Sequence, residues 1–244
     1  MKIALAQINS QKGNVEANEL HHLQVIEQAA RAQADLIIFP ELSITGYEPD
    51  LAQSLAMELS NSSFDPFQEA ADRLGISIGI GMPTPASEGV QISMLIFQPG
   101  QERSQYAKQL LHSDELPYFV CGRSQTLLSV KGKIIALGIC YESMQREQVV
   151  PALLQADCYI ASVAKDQKGL EKAYVFYAQI ASEFRKPILM VNSLGFQDNF
   201  FAAGQSAVWD QKGYILAALD GEQEGLLLYD SEGPFVSFLL KELN

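Results

Sequence analysis

Histidine, cysteine and tryptophan are scarce in this 244-residue chain: three His, three Cys and one Trp. Cys121, Cys140 and Cys158 are odd in number and show no CxxC or Cys/His spacing. The cysteines therefore encode neither a disulfide framework nor a zinc site. Free thiols fit a reducing cytoplasm, which is the expected location. Basic residues are also few, 17 Lys+Arg against 29 Asp+Glu, for a net charge of −12 and a pI near 4.7. Phosphate backbones and anionic bilayers are held by clustered basic faces, so nucleic acid and membrane are excluded as partners. No run approaches the roughly 18 consecutive apolar residues of a membrane-spanning helix. MKIALAQINSQKGN turns polar too early for a secretory leader, so none is expected. Gly-rich phosphate loops, GxSxG and HExxH are absent as well.

What remains is the composition of an ordinary soluble globular protein, 48% apolar and 19% charged. The length suits one large domain over residues 1–244, with no repeat or linker to divide it. KIALAQI (2–8) reads as a buried strand, residues 15–33 carry helical spacing, and LIIFPELS (36–43) is a strand stopped at Pro40-Glu41. A capping Asp65 before Pro66 opens a helix to about Leu74, and ISIGIGM (76–82) is a third strand. Residues 91–98 and 103–108 flank a PGQE turn, and TLLSV and KIIALGIC flank Lys131-Gly132, two hairpin signals. A helix to Gln155, a strand at 157–164, a helix at 168–185 and a strand at 187–193 follow. A hairpin at 207–218, a strand at 225–230 and a tail from Pro234 complete the chain. Strands alternating with helices, with hairpins inserted, predict an α/β layered fold with mixed sheets.

Three polar residues stand where apolar strands end. Glu41 follows Leu36-Ile-Ile-Phe-Pro40; it is either a loop carboxylate near a helix start or a general base whose pKa an apolar surround raises. Lys108 ends the strand from Arg103 and is either an edge lysine or a fixed charge beside a developing oxyanion. Cys140 closes IIALGIC and is either a small buried apolar residue or a nucleophile presented at a strand tip. Glu115, seven residues past Lys108, is a loop carboxylate or a helper to that lysine. His112 is the histidine open to a Cys–His pairing, since His21 and His22 sit on an early helix. Cys121 and Cys158 have no catalytic surroundings.

Glu in FPELSITGY, Lys in YAKQLLHSDELPYFVCG and Cys in GICYESMQRE occur in that order, 67 and then 32 positions apart. Together with KIALAQ, VNSLG and AAGQSAVWDQKG, this pattern resembles the nitrilase superfamily of carbon–nitrogen hydrolases over nearly the whole chain. The resemblance implies a four-layer α-β-β-α sandwich, usually paired into homodimers or higher homo-oligomers, with no cofactor. It implies Glu41 as general base, Lys108 as oxyanion-stabilising lysine, Cys140 as nucleophile and Glu115 as the family's second glutamate. The implied reaction is hydrolysis of a small linear amide to carboxylate and ammonia through a thioester. An N-carbamoyl amine is the alternative substrate, and a catalytically silent ligand- or partner-binding member the alternative outside enzymes. Tyr47, Tyr141, Glu142, Phe119 and Phe196 are the expected substrate-binding residues, with the Tyr141 amide in the oxyanion site. Tyr141 replaces the Trp of true nitrilases and argues against a nitrile substrate. Gln145-Arg146 stand where many members have Phe-Pro, and Leu110 where many have His. TGYEPDLAQ (45–53) is similar to the glutaminase domain of NAD synthetases.

Overall fold

The computed structural model describes residues 1–233 and 236–239. In chain order the elements are β1 (Lys2–Gln7), α1 (Val15–Arg31), β2 (Leu36–Ile38), α2 (Ala52–Leu55), α3 (Asp65–Leu74), β3 (Ser77–Ala86), β4 (Gly89–Phe97) and β5 (Ser104–Ala107). After a long loop come β6 (Leu127–Val130), β7 (Lys133–Ile139), α4 (Arg146–Leu154), β8 (Cys158–Val163), α5 (Gln167–Phe184) and β9 (Ile188–Asn192). The chain continues through β10 (Leu194–Gln197), β11 (Phe200–Ala203), β12 (Ala207–Trp209), β13 (Ile215–Ala218), β14 (Gly225–Asp230) and β15 (Val236–Leu239).

Among the described residues two large mixed sheets form, ordered β15-β14-β1-β2-β3-β4-β5 and β13-β12-β9-β8-β7-β6. Each has a parallel centre, β1/β2/β3 in one and β7/β8/β9 in the other, with antiparallel strands outside. The parallel strands are apolar on both faces because each face has something to bury against. Ile3, Leu5, Ile38, Ile92 and Met94 of the first sheet meet Leu137, Ile160, Leu189 and Val191 of the second. The first sheet's other face packs Ile37, Ile78 and Ile80 under Val25, Ile26 and Ala29 of α1 and Phe67 and Ala71 of α3. The second packs Tyr159, Ala161 and Met190 under Val149 of α4 and Leu170, Tyr177 and Ile180 of α5. These three apolar layers make the α-β-β-α sandwich that the resemblance implied.

Some local expectations differ. Asp65 does not cap α3; it is the first residue of that helix, and Asn61 caps the preceding turn by accepting from the Ser63 amide. Leu194–Gln197 and Phe200–Ala203 form a separate two-stranded hairpin that periodicity does not reveal. Most of the expected tail from Pro234 lies outside the described residues, but Val236–Leu239 pair with β14 as a strand. Four residues give too short a pattern to be read without their partner.

Candidate active site

Glu41 is carried by a tight reversal after β2. Ser43 N donates to Pro40 O at 3.2 Å, Ile44 N donates to Gly81 O at 3.0 Å, and Leu42 takes a positive φ of 51°. Gly81 on β3 makes this possible: a Cβ there would lie 2.3 Å from Leu42 N and 2.4 Å from Pro40 O. Behind the reversal, buried His22 stacks on Phe39, with Nδ1 at 2.6 Å from Asn18 O and Nε2 at 2.9 Å from Ser43 Oγ. The carbonyl must accept, so Nδ1 carries the proton and Nε2 accepts from Ser43. Burial holds the His22 pKa down to about 3, which keeps it neutral.

Lys108, the residue after β5, is held by its backbone, donating to Ile92 O at 2.9 Å and accepting from Gly122 N at 2.7 Å. Its Nζ donates to Glu41 Oε1 at 2.8 Å and to Glu115 Oε1 at 2.5 Å, with all three side chains buried. Glu115 is fixed in turn by the Tyr47 hydroxyl at 3.0 Å and the His112 amide at 2.7 Å. Burial is the strongest influence on Glu41 and raises its pKa, with Lys108 opposing and Glu115 reinforcing the rise. Burial alone would lower the Lys108 pKa, but the charges of Glu41 and Glu115 outweigh it and hold the ammonium above the usual lysine range. Glu41 Oε2 has no hydrogen-bond partner among the described residues, so one oxygen of a raised-pKa carboxylate is free to take a proton.

Cys140 sits at the turn after β7 with φ +45°, a conformation a non-glycine residue holds only under constraint. Its amide donates to Ser162 O at 3.0 Å, and its carbonyl accepts from Ser143 Oγ at 2.6 Å. Ser162 Oγ also donates to Phe39 O at 2.9 Å, which ties the Cys140 turn to the strand that carries Glu41. Burial and the Glu41 charge push the thiol up to about 11, against the opposing pull of Lys165 and Lys108.

A cavity of about 680 Å³ opens over Cys140. Tyr47, His112, Glu115, Tyr118, Tyr141, Gln145, Lys165, Asp198 and Phe200 contribute to its wall. Glu41 and Lys108 are not on that wall; they stand behind it and reach it through Cys140 and Glu115. Of the expected substrate-binding residues, Tyr47 and Tyr141 line the cavity, whereas Glu142, Phe119 and Phe196 do not. Glu142 is buried and accepts from Ile139 N (2.8 Å), Gln109 N (2.6 Å), Leu110 N (3.2 Å) and Tyr106 Oη (2.6 Å). It braces the Cys140 turn against the loop after Lys108 and has no capacity left for a ligand. Phe119 is buried in the inter-sheet core, and Phe196 lies exposed on β10 opposite Phe201. His112 reaches the wall edge-on to Tyr141, 5.0 Å between ring centres, and its Nδ1 is 2.5 Å from Asp114. It does not pair with Cys140. Arg146 turns outward to a two-pronged contact with Glu183 at 2.7 and 2.8 Å. Lys165, which no motif marks, also lines the cavity: it follows β8 as Glu41 and Cys140 follow their strands, and its Nζ is 3.8 Å from Cys140 Sγ.

The glutamine-dependent NAD(+) synthetase of Aquifex aeolicus is 24% identical over 93% of this chain, which spans only 41% of that relative's length. Among solved structures, the NitN amidase from Nesterenkonia sp. AN1 superposes with a TM-score of 0.84 at 25% identity, covering 94% of this chain and 92% of that one. A variant of that amidase with acrylamide added at its active-site cysteine matches at TM-score 0.85 and 24% identity, over 96% and 94% of the two chains. The carbon-nitrogen hydrolase family profile matches residues 2–232. With its sandwich, its gathered Glu, Lys and Cys, and that match over nearly all its length, the chain belongs to the carbon-nitrogen hydrolases of the nitrilase superfamily.

Proposed function

We propose that this carbon–nitrogen hydrolase is a cysteine-dependent amidase that converts a small linear amide to carboxylate and ammonia through a thioester. The observation that carries this reading is the buried Glu41–Lys108–Glu115 cluster behind the strained Cys140 turn, with the cavity in front. A thiol with a pKa near 11 is a poor nucleophile at neutral pH, so its proton must leave before it attacks. Glu41 accepts that proton, and the sulfur anion bonds to the amide carbon as the carbonyl π pair passes to oxygen. Lys108 has three N–H groups and gives two to carboxylates, so the third remains for the tetrahedral oxyanion. The Tyr141 amide is the second donor, and each well-placed donor contributes about 3 kcal/mol. Glu41 then protonates the departing nitrogen as the C–N bond breaks. Water, giving its proton to Glu41, adds to the thioester carbon, and collapse releases carboxylate and thiol. Glu115, with Tyr47 and Lys108 attached, holds the lysine in place.

A cavity of this size suits a ligand of drug-like dimensions or less, and its many polar wall groups favour a polar amide. The glutamine dependence of the synthetase relatives supports a primary carboxamide at the reacting end. An N-carbamoyl amine is the remaining alternative, because the same groups would cleave it. A substrate panel reporting ammonia, carbon dioxide and carboxylate separates the two, since amide hydrolysis releases no carbon dioxide. No turnover on either class would favour a silent binding protein and refute the proposal. The same reading has the protein working as a homodimer or larger homo-oligomer, carried by the family resemblance and checked by sedimentation, and in the cytoplasm, carried by its free thiols and checked by cell fractionation. Among the described residues no helix is long and apolar enough to cross a membrane.

A further inference from the structure

Lys108 is one cation shared by two carboxylates, and the proton transfer that activates Cys140 moves a negative charge away from it. When S–H breaks and O–H forms on Glu41, the charge leaves a carboxylate bonded to Lys108 at 2.8 Å and arrives on Sγ. On the receiving side stands Lys165. Its backbone is clamped by Asn192, which accepts from Lys165 N at 2.8 Å and donates to Lys165 O at 3.1 Å, while Ala203 N donates to the same carbonyl at 2.9 Å. The side chain is only 9% exposed and lines the cavity, with Nζ 3.8 Å from Cys140 Sγ. The next residue, Asp166, spends its carboxylate on the start of α5, accepting from Gly169 N at 2.7 Å. No carboxylate among the described residues forms an ion pair with Lys165. A buried ammonium with a sulfur as its polar neighbour is costly unless that sulfur carries charge.

We propose that Lys165 is a second catalytic cation, which stabilises the Cys140 sulfur anion formed when the thiol proton passes to Glu41. This rests on Cys140 being the nucleophile. The charged groups facing the sulfur are Glu41 from the end of β2, Lys108 and Glu115 from the segment after β5, and Lys165 from the end of β8. The phenols of Tyr47 and Tyr177 also face it and stay neutral, burial holding both above their ordinary range. His112 and Tyr141 also line the cavity. Lys108 thus compensates the carboxylates and Lys165 the sulfur. No redox partner or further reactant is involved, because one proton moves and one Sγ–C bond forms.

The test is the pH dependence of iodoacetamide alkylation at Cys140, followed by peptide mapping so that exposed Cys121 does not contribute. Wild type is compared with Lys165→Met, Lys165→Gln and Lys165→Arg, and thermal unfolding identifies the variants that remain folded. An opposite charge within about 4–6 Å displaces a pKa by about 1–3 units, so losing the ammonium should raise the inflection by that amount. Lys165→Arg should return it towards wild type. A neutral variant that melts normally yet superimposes on the wild-type profile overturns the proposal. So does a variant that only raises KM for an anionic amide, because Lys165 would then bind substrate. Failure of Cys140 to react at any pH would overturn the proposed function with it, whereas an unmoved inflection removes only the role of Lys165.

Discussion

Lys108 Nζ donates to Glu41 Oε1 at 2.8 Å, and neither side chain is exposed to solvent. Glu115 draws on the same ammonium at 2.5 Å, so one lysine holds two carboxylates out of water. Replacing Lys108 by Met leaves both acids buried without a counter-ion. The expected loss of stability at neutral pH is about 3–5 kcal/mol by urea unfolding. Adding Glu115→Gln should recover part of that stability. Neither variant should recover turnover, which falls by about 10²–10³-fold when an oxyanion donor is removed.

Glu142 was expected at the substrate, yet it holds the amides of Ile139, Gln109 and Leu110 together with the Tyr106 hydroxyl. Glu142→Ala leaves several buried donors unsatisfied, at about 1–3 kcal/mol each. Steady-state kinetics and thermal unfolding should show a lower Tm and lower kcat with KM little changed. A selective rise in KM for one substrate class would return Glu142 to the binding site.

Gly81 approaches the Glu41 reversal too closely for a side chain, with a Cβ only 2.3 Å from Leu42 N. Gly81→Ala must move the base rather than a flexible side chain. A displacement of about 1 Å costs on the order of 10²-fold in rate. That loss should appear in kcat while Cys140 still alkylates, because the thiol turn is on the other sheet.

His22 is buried neutral, its pKa lowered to about 3 by desolvation. Between that value and the ordinary value near 6.5, the unfolded chain binds a proton that the folded chain refuses. Its contribution is therefore complete above pH about 6.5 and is lost as pH falls towards 3, with a slope approaching about 1.4 kcal/mol per pH unit. Glu41 and Glu142, with raised pKa values, act in the opposite sense, so the wild type is compared with His22→Gln. The difference in urea midpoint between them should shrink as pH drops. A constant difference would mean that His22 is already protonated in the folded protein.

Glu41, Lys108 and Cys140 stand out in the sequence because each breaks an apolar strand pattern at its end: Glu41 and Cys140 leave the parallel strands β2 and β7, and Lys108 leaves the antiparallel strand β5. Lys165 obeys the same rule after Val163-Ala164 but lies outside the segments that carry the family resemblance. Of the expected wall aromatics, Tyr47 and Tyr141 line the cavity, whereas Phe119 and Phe196 do not. Phe196 points outward because it belongs to a hairpin in neither main sheet, and Phe119 turns into the core between the sheets. Which way those rings face depends on register and on long-range pairing that one chain's local pattern does not carry. Glu142 turns away from the cavity for a related reason: three of its four partners lie 32 to 36 residues away, on the segment around Lys108.

The proposed mechanism requires an acyl intermediate on Cys140. The direct measurement is acid quenching of the wild-type enzyme during turnover of short linear amides, followed by peptide mapping by mass spectrometry. An acyl group should appear on the Cys140 peptide alone, labile to neutral hydroxylamine, with ammonia released in step with its formation. Ammonia released at an undiminished rate by Cys140→Ala, or acylation confined to Cys121 or Cys158, would contradict it.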